Sequence, residues 1–268
     1  MKNKKNPIGI FDSGIGGLTV CKAIRDLLPT EDIIYFGDTA RFPYGTRSKE
    51  TIIRYSEEIV NYLLTREVKI IVIACNTSSA IALDYLNQKH SLPILGVIET
   101  GAKAACQKIK NNKVGIIGTR ATIKSKAYSK AISKLKPKTE IFQQQATLFV
   151  PLIEEGLMQG KITELVIMKY LKKIYQKGVR TLILGCTHFP LLKKPINKLF
   201  PDLNLIDTGT EIALETKKIL KKENLLAKSN RKGNIELYSS DITTTTQKVK
   251  KVFFGNQAIK INKMVIGQ

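Results

Sequence analysis

VKIIVIACNT, residues 68–77, carries an unbroken apolar run from Ile70 to Ala74 into a thiol, Cys75, and then into Asn76 and Thr77. A short, largely β-branched run that ends in a polar turn reads as a strand buried on both faces. VRTLILGCTH, residues 179–188, repeats the pattern at an offset of 111 and places Cys186 on Cys75. Upstream, IGIFDSG from Ile8 matches VGIIGTR from Val114 at an offset of 106. Chance similarity between short apolar strands is the plain alternative. Two matches in the same order at near-equal offsets argue instead for two similar α/β units, each with its own thiol.

Outward from these strands the periodicity alternates. Strands are expected over 7–11, 32–37, 68–75, 92–97, 113–119 and 179–185, with a short one near 140. Helices are expected over 17–28, over 49–64, from Thr77 onward, near 121–135 and over 163–177. In the first helix Leu18, Cys21, Ile24 and Leu28 share one face. Near-continuous apolar strands alternating with helices predict an α/β fold, doubly wound, with mostly parallel sheets covered on both faces. No Ser/Gly/Pro-rich linker divides the chain.

Composition narrows the function classes. The chain has 268 residues, 43% of them hydrophobic, enough for one large or two smaller cores. No apolar run approaches a membrane span of about 18 residues. The basic start MKNKKNPIGIF meets Asp12 before any signal-like apolar stretch forms, so a cytoplasmic location is expected. The four cysteines, Cys21, Cys75, Cys106 and Cys186, form no CxxC pair, and the chain has two histidines. Free thiols, with no metal site, follow. The net charge of +22 is spread along the chain without basic blocks interleaved with aromatics. It reads as a lysine-rich solvated surface rather than a nucleic-acid face.

In open parallel sheets ligands bind beyond the C-terminal strand ends. Four polar turns fall there: Asp12-Ser13, Cys75-Asn76-Thr77, Gly118-Thr119 and Cys186-Thr187-His188. If the two units face each other, these turns converge on one cleft. Each thiol would sit near a helix N-terminus, whose dipole favours thiolate. Cys21 and Cys106 read as core side chains on helical apolar stripes.

DSGIGG (12–17) lacks the GK[ST] of a P-loop and the third glycine of a dinucleotide fingerprint. Asp12 there suits a substrate ammonium or a polarised thiol, or caps the next helix. GDTARFPYGTRS (37–48), with Asp38, Tyr44 and Gly45, is a long loop or a wall of the cleft. In VPLIEEGL (150–157), Pro151 is placed to start a helix with Glu154 and Glu155 in its first turn. His188, two residues past a thiol, is either structural or tunes Cys186. One thiol beside a histidine suggests an acyl-transfer nucleophile. Two thiols on opposite walls suggest two bases on opposite faces of one carbon, which would invert a stereocentre. No lysine stands in a recognisable pyridoxal site, so the sequence offers no electron sink.

IGIFDSGIGGLTV, YFGDTARFPYGTRS, ACNTSSA, VGIIGTRAT, VPLIEEG and LGCTHFPLL, in this order from residue 8 to about 210, together resemble the cofactor-independent aspartate/glutamate racemase family. The resemblance implies two pseudo-symmetric α/β domains with the active site between them. The first would comprise 1–97 plus 208–268 on the Cys75 side, and the second 98–207 on the Cys186 side. It implies interconversion of L- and D-glutamate for peptidoglycan synthesis, without pyridoxal phosphate or metal. By position, Cys75 resembles the base acting on D-glutamate and Cys186 the base acting on L-glutamate. Asp12 and His188 match residues that assist the thiols. Ser13, Tyr44, Gly45, Asn76, Thr77, Thr119 and Thr187 match substrate contacts, and Glu154 matches an acidic residue near the site.

The resemblance also implies a homodimer, of a kind the family builds in more than one arrangement, so the interface stays open. The last 60 residues carry few of the family's signatures, ELYSSDITTTTQKV being a loose match, and the charge is not a family requirement. Three other readings stay open: the same chemistry on aspartate, a thiol–disulfide switch, and a non-catalytic binding protein that uses the basic surface.

Overall fold

A computed structural model describes residues 3–255 and 259–267. The chain separates into one unit formed by Met1–Val97 with Gly209–Gln268 and a second formed by Ile98–Thr208.

In the first unit β1 (Ile8–Asp12), α1 (Leu18–Leu27), β2 (Ile33–Gly37), α2 (Lys49–Thr65), β3 (Ile70–Ile73), α3 (Asn76–Ile81), α4 (Leu83–Lys89) and β4 (Ile94–Gly96) follow in order. The second unit holds α5 (Val97–Lys108), β5 (Lys113–Gly118), α6 (Arg120–Ser125), α7 (Ala127–Leu135) and β6 (Glu140–Gln145). It continues through α8 (Phe149–Glu154), α9 (Lys161–Gln176), β7 (Thr181–Gly185), α10 (Lys193–Leu199) and β8 (Asn204–Ile206). The chain then completes the first unit with α11 (Thr208–Lys222), β9 (Ile235–Ser239), α12 (Thr244–Phe254) and β10 (Ile261–Lys263).

The first sheet runs β10-β9-β2-β1-β3-β4 and the second β6-β5-β7-β8, with every described pairing parallel. Parallel sheets need apolar side chains on both faces, and the strands supply them by alternation. In the first unit Ile8, Ile10, Tyr35, Ile70 and Val72 enter one core. Phe11, Ile34, Phe36, Ile71 and Ile73 enter the core on the other face. Leu182, Leu184 and Ile117 anchor the core of the second unit, with Phe149 and Phe189 packed edge-on at 5.1 Å. Each such side chain contributes about 1.5–3 kcal/mol when fully buried, so register and sheet order are firmly specified.

Strand order fixes where chemistry can sit. From β1 the chain first adds β2 on one side, then crosses to add β3 on the other. From β5 it adds β6 and then crosses to β7 in the same way. Each sheet therefore has a topological switch point, between β1 and β3 and between β5 and β7, where the carboxyl ends of two strands leave a crevice. Asp12 ends β1 and Cys75 follows β3, while Thr119 and Cys186 follow β5 and β7.

Two expected elements differ. The helix near 121–135 is broken at Lys126, whose φ of 56° is left-handed, into α6 and α7. Apolar spacing continues across the break, so periodicity does not reveal it. The β3 and β7 strands are shorter than their apolar runs, because Val68 and Val179 pack as buried side chains outside the ladder. Among the described residues no helix is long and apolar enough to cross a membrane.

Candidate active-site residues

In the first unit the turn after β1 is built around Asp12. Its Oδ2 accepts from the backbone N–H of Gly14 at 3.2 Å and of Gly17 at 3.0 Å. Gly17 precedes α1, whose first amides, those of Leu18, Thr19 and Val20, donate to the carbonyls of Ile15, Gly16 and Gly17, so the carboxylate orders the turn that leads into the helix. The Tyr35 hydroxyl, reaching up from β2, donates to the Gly14 carbonyl at 2.7 Å and fixes the turn from below. A Cβ at Gly17 would lie 2.5 Å from Asp12 Cβ, so glycine is required for the helix to approach so closely.

Cys75 is the N-cap of α3 and is 5% exposed. Its Sγ donates to Ser13 Oγ at 3.5 Å and accepts from the Ser78 N–H at 3.5 Å. The helix N-terminus alone would favour thiolate. Instead, burial first and the Asp12 carboxylate second push the Cys75 thiol up to about 11, and its Ser13 and Ser78 contacts offset this in part. The expectation that the helix N-terminus leaves Cys75 a thiolate is therefore corrected: the net shift is upward. Desolvation and a neighbouring negative charge outweigh the hydrogen bonds that favour the thiolate, that of the Ser78 amide at the helix N-terminus included.

Asn76 and Thr77 open α3 and are both buried. Ser13 is buried beside Cys75, and Tyr44 is fully buried with Gly45 next to it in a short 3-10 turn, Tyr44–Thr46. The Tyr44 hydroxyl donates to Asp38 Oδ2. Asp38 is fully buried and also accepts from Arg41 Nε at 2.6 Å and from Ser240 Oγ at 2.9 Å. Arg41 in turn pairs with Glu58 and stacks 4.1 Å from the Tyr55 ring centroid. Burial and the Asp38 carboxylate keep the Tyr44 hydroxyl protonated well above the usual range. The Cys75 sulfur acts on Tyr44 in the same sense, which places the two side chains within electrostatic reach.

In the second unit Cys186 follows β7 and is 7% exposed. Its Sγ lies 3.9 Å from His188 Nδ1, and His188 Nε2 lies 3.1 Å from Glu154 Oε1. A carboxylate, an imidazole and a thiol thus stand in line, the histidine buried and the carboxylate half-buried. Such a carboxylate orients the ring. Thr187 is buried between Cys186 and His188 in sequence. Thr119 caps α6 at the end of β5, its Oγ1 accepting from Thr122 N–H at 3.2 Å. Tyr128 is fully buried, and burial followed by the Cys186 sulfur holds its hydroxyl proton firmly.

One local reading is corrected. α8 begins at Phe149, two residues before Pro151, so Glu154 is its last residue and Glu155 its C-cap. Neither glutamate serves the helix N-terminus. Glu154 is thereby left to face His188. Cys21 and Cys106 are buried, as the helical stripes indicate, and burial pushes the Cys21 thiol up to about 12.

Sequence reasoning did not single out Asp38 as a hub, nor Ser240, Tyr35, Tyr128 or Ser78. Asp38 stands after β2 as Asp12 stands at the end of β1, which is a usable signal. Ser240 lies 202 residues from Asp38, and nothing local points to it. Among the described residues no group of three or more His, Cys, Asp or Glu is placed to hold a metal ion.

Fold and sites together define an α/β protein of two like-wound units, each with a buried thiol at its sheet's switch point and a carboxylate near that thiol. The sequence profile of the Asp/Glu/Hydantoin racemase family matches residues 8–216. The chain belongs to this family. It is 45% identical over 265 residues to a glutamate racemase of Neisseria meningitidis, covering 98% of both chains. The glutamate racemase of Francisella tularensis, solved in complex with D-glutamate, superposes with a TM-score of 0.91 at 40% identity over 98% of each chain. A glutamate racemase of Bacillus anthracis superposes with a TM-score of 0.93 at 34% identity, again over 98% of each.

Proposed function

We propose that this chain interconverts L- and D-glutamate by proton transfer at Cα, with Cys75 and Cys186 as the two bases, and so supplies D-glutamate for peptidoglycan synthesis. The observation that carries the reading is a buried thiol at the same topological position in each unit, in a chain 45% identical over 98% of its length to a glutamate racemase.

From L-glutamate, the Cys186 thiolate takes the Cα proton, and the electron pair passes into the α-carboxylate. The Cys75 thiol then gives its proton to the opposite face of the carbon. Cys186 ends as thiol and Cys75 as thiolate, and D-glutamate runs the same steps in reverse. A Cys75 thiol pushed up to about 11 is protonated at neutral pH, as a donor in this direction must be. For the reverse step the same high value makes its thiolate a stronger base. Asp12 keeps that basicity high. His188, oriented by Glu154, assists Cys186. Ser13, Tyr44, Gly45, Asn76, Thr77, Thr119 and Thr187 hold the substrate, their hydroxyls and amides offering donors to its carboxylates. The reaction as written uses side chains of this chain alone. We place the enzyme in the cytoplasm as a homodimer, a state that sedimentation equilibrium tests.

Purified, reduced protein given L-glutamate should form D-glutamate until the two are equal, as read by chiral chromatography. Cys75→Ser and Cys186→Ser should each lower turnover by at least about 10²-fold. A folded wild-type protein that leaves L-glutamate unchanged overturns the proposal. Full turnover by either variant overturns the assignment of bases.

A further inference from the structure

Two adjacent serines follow Cys75 in α3, and the fold uses them differently. Ser79 Oγ donates to the Ile73 carbonyl at 3.0 Å and accepts from Val97 N–H at 3.2 Å, tying the helix to β3 and to the end of β4. Ser78 is 0% exposed, and its hydroxyl completes no hydrogen bond among the described residues. A serine within a helix ordinarily turns its hydroxyl back to the carbonyl one turn earlier, and Ser78 does not. Its backbone N–H already points at Cys75 Sγ, 3.5 Å away. The hydroxyl stands off hydrogen-bond geometry with the neutral sulfur, yet close enough to ease ionisation of the thiol.

The neutral thiol spends its proton on Ser13 Oγ and is a weak acceptor. A thiolate has no proton to give and needs donors. We infer that Ser78 is a positioning residue for the Cys75 base: when Cys75 ionises, the Ser78 hydroxyl rotates about its Cα–Cβ bond and donates to the sulfur beside its own N–H. The Ser13 hydroxyl then reverses from acceptor to donor. Three donors surround the thiolate, and the otherwise orphaned buried hydroxyl is satisfied in the charged state of the site. The inference rests on the proposed role of Cys75 as a base and names what receives its charge.

The test reads Cys75 ionisation without substrate, so it stands apart from whether the chain racemises glutamate. Substrate-free protein is alkylated with iodoacetamide from about pH 7.5 to about pH 10, and modification of Cys75 is followed by site-resolved mass spectrometry. Ser78→Ala should lower the Cys75 rate about tenfold at each pH, the effect of one charge-assisted hydrogen bond. Ser78→Thr, which keeps the hydroxyl, should stay near wild type. Ser79→Ala should lower the melting temperature and leave the Cys75 profile in place. A Ser78→Ala profile superimposable on wild type overturns the inference, as does an equal fall in Ser79→Ala. If Ser78→Ala does not fold, the Ser78→Thr profile decides, and a loss as large as tenfold there overturns the inference.

Discussion

At the scale of single residues, two opposed influences meet on Cys75. The Asp12 carboxylate raises its pKa, and the Ser13 and Ser78 contacts lower it. Asp12→Asn separates charge from shape. The amide oxygen can still accept from Gly14 and Gly17, while the negative charge is gone. A raised pKa means less thiolate at a given pH, so removing its cause should yield more. Cys75 alkylation at about pH 8 should rise roughly tenfold in Asp12→Asn, while racemisation falls because the base is weaker. An unchanged alkylation rate would show that burial alone sets Cys75. Much of this chemistry is legible in sequence: Cys75, Cys186, Asp12 and His188 stand at strand ends that periodicity marks. The balance of forces on the sulfur is not, because burial and the path of the Asp12 carboxylate are three-dimensional. The amide of Ser78 at the start of α3 does favour the thiolate, as ACNTSSA indicates, but burial and Asp12 act more strongly in the other direction.

At the scale of elements, the approach of α1 to β1 is set by a missing Cβ. Gly17→Ala would place a methyl 2.5 Å from Asp12 Cβ and 2.9 Å from the Tyr35 hydroxyl. Either α1 or the Asp12 turn must move, which costs about 1–3 kcal/mol. Thermal denaturation should show that loss, and racemisation should fall more than about tenfold as Asp12 shifts. A variant within about 0.5 kcal/mol of wild type and fully active would refute the close-approach argument. The alternation of strands and helices is readable because the period of the apolar positions switches between continuous strand runs and helical spacing. The break at Lys126 was not, because a single left-handed residue leaves the spacing of apolar positions intact. The start of α8 was misplaced because Pro151 fits anywhere in a first turn, and Phe149 already packs as helix. The loop 37–48 reads in sequence as a long connection or a wall of the cleft, with no sign of what orders it. Its order comes from Asp38 gathering Tyr44, Arg41 and Ser240, the last from the far end of the chain.

At the scale of the whole molecule, the internal repeat is the deepest fact in the sequence. It becomes physical in the matched sheet orders, β2-β1-β3-β4 and β6-β5-β7-β8, each with a thiol after its third strand in chain order. One unit carries two further strands, β9 and β10, drawn from the C-terminal stretch whose sequence signatures were weakest. The net charge of +22 has no explanation in the sites described. The central claim is that two thiols, one from each unit, act on one carbon. The most direct measurement is the isotope pattern at Cα during the first turnovers in D₂O, read by mass spectrometry after the enantiomers are separated. Two bases predict deuterium in the newly formed enantiomer, because its proton comes from a solvent-exchanged thiol. Unreacted substrate should keep its original hydrogen, since a reversed first step returns the proton it removed. A product that retains substrate hydrogen would mean that one base serves both faces, and would contradict the account.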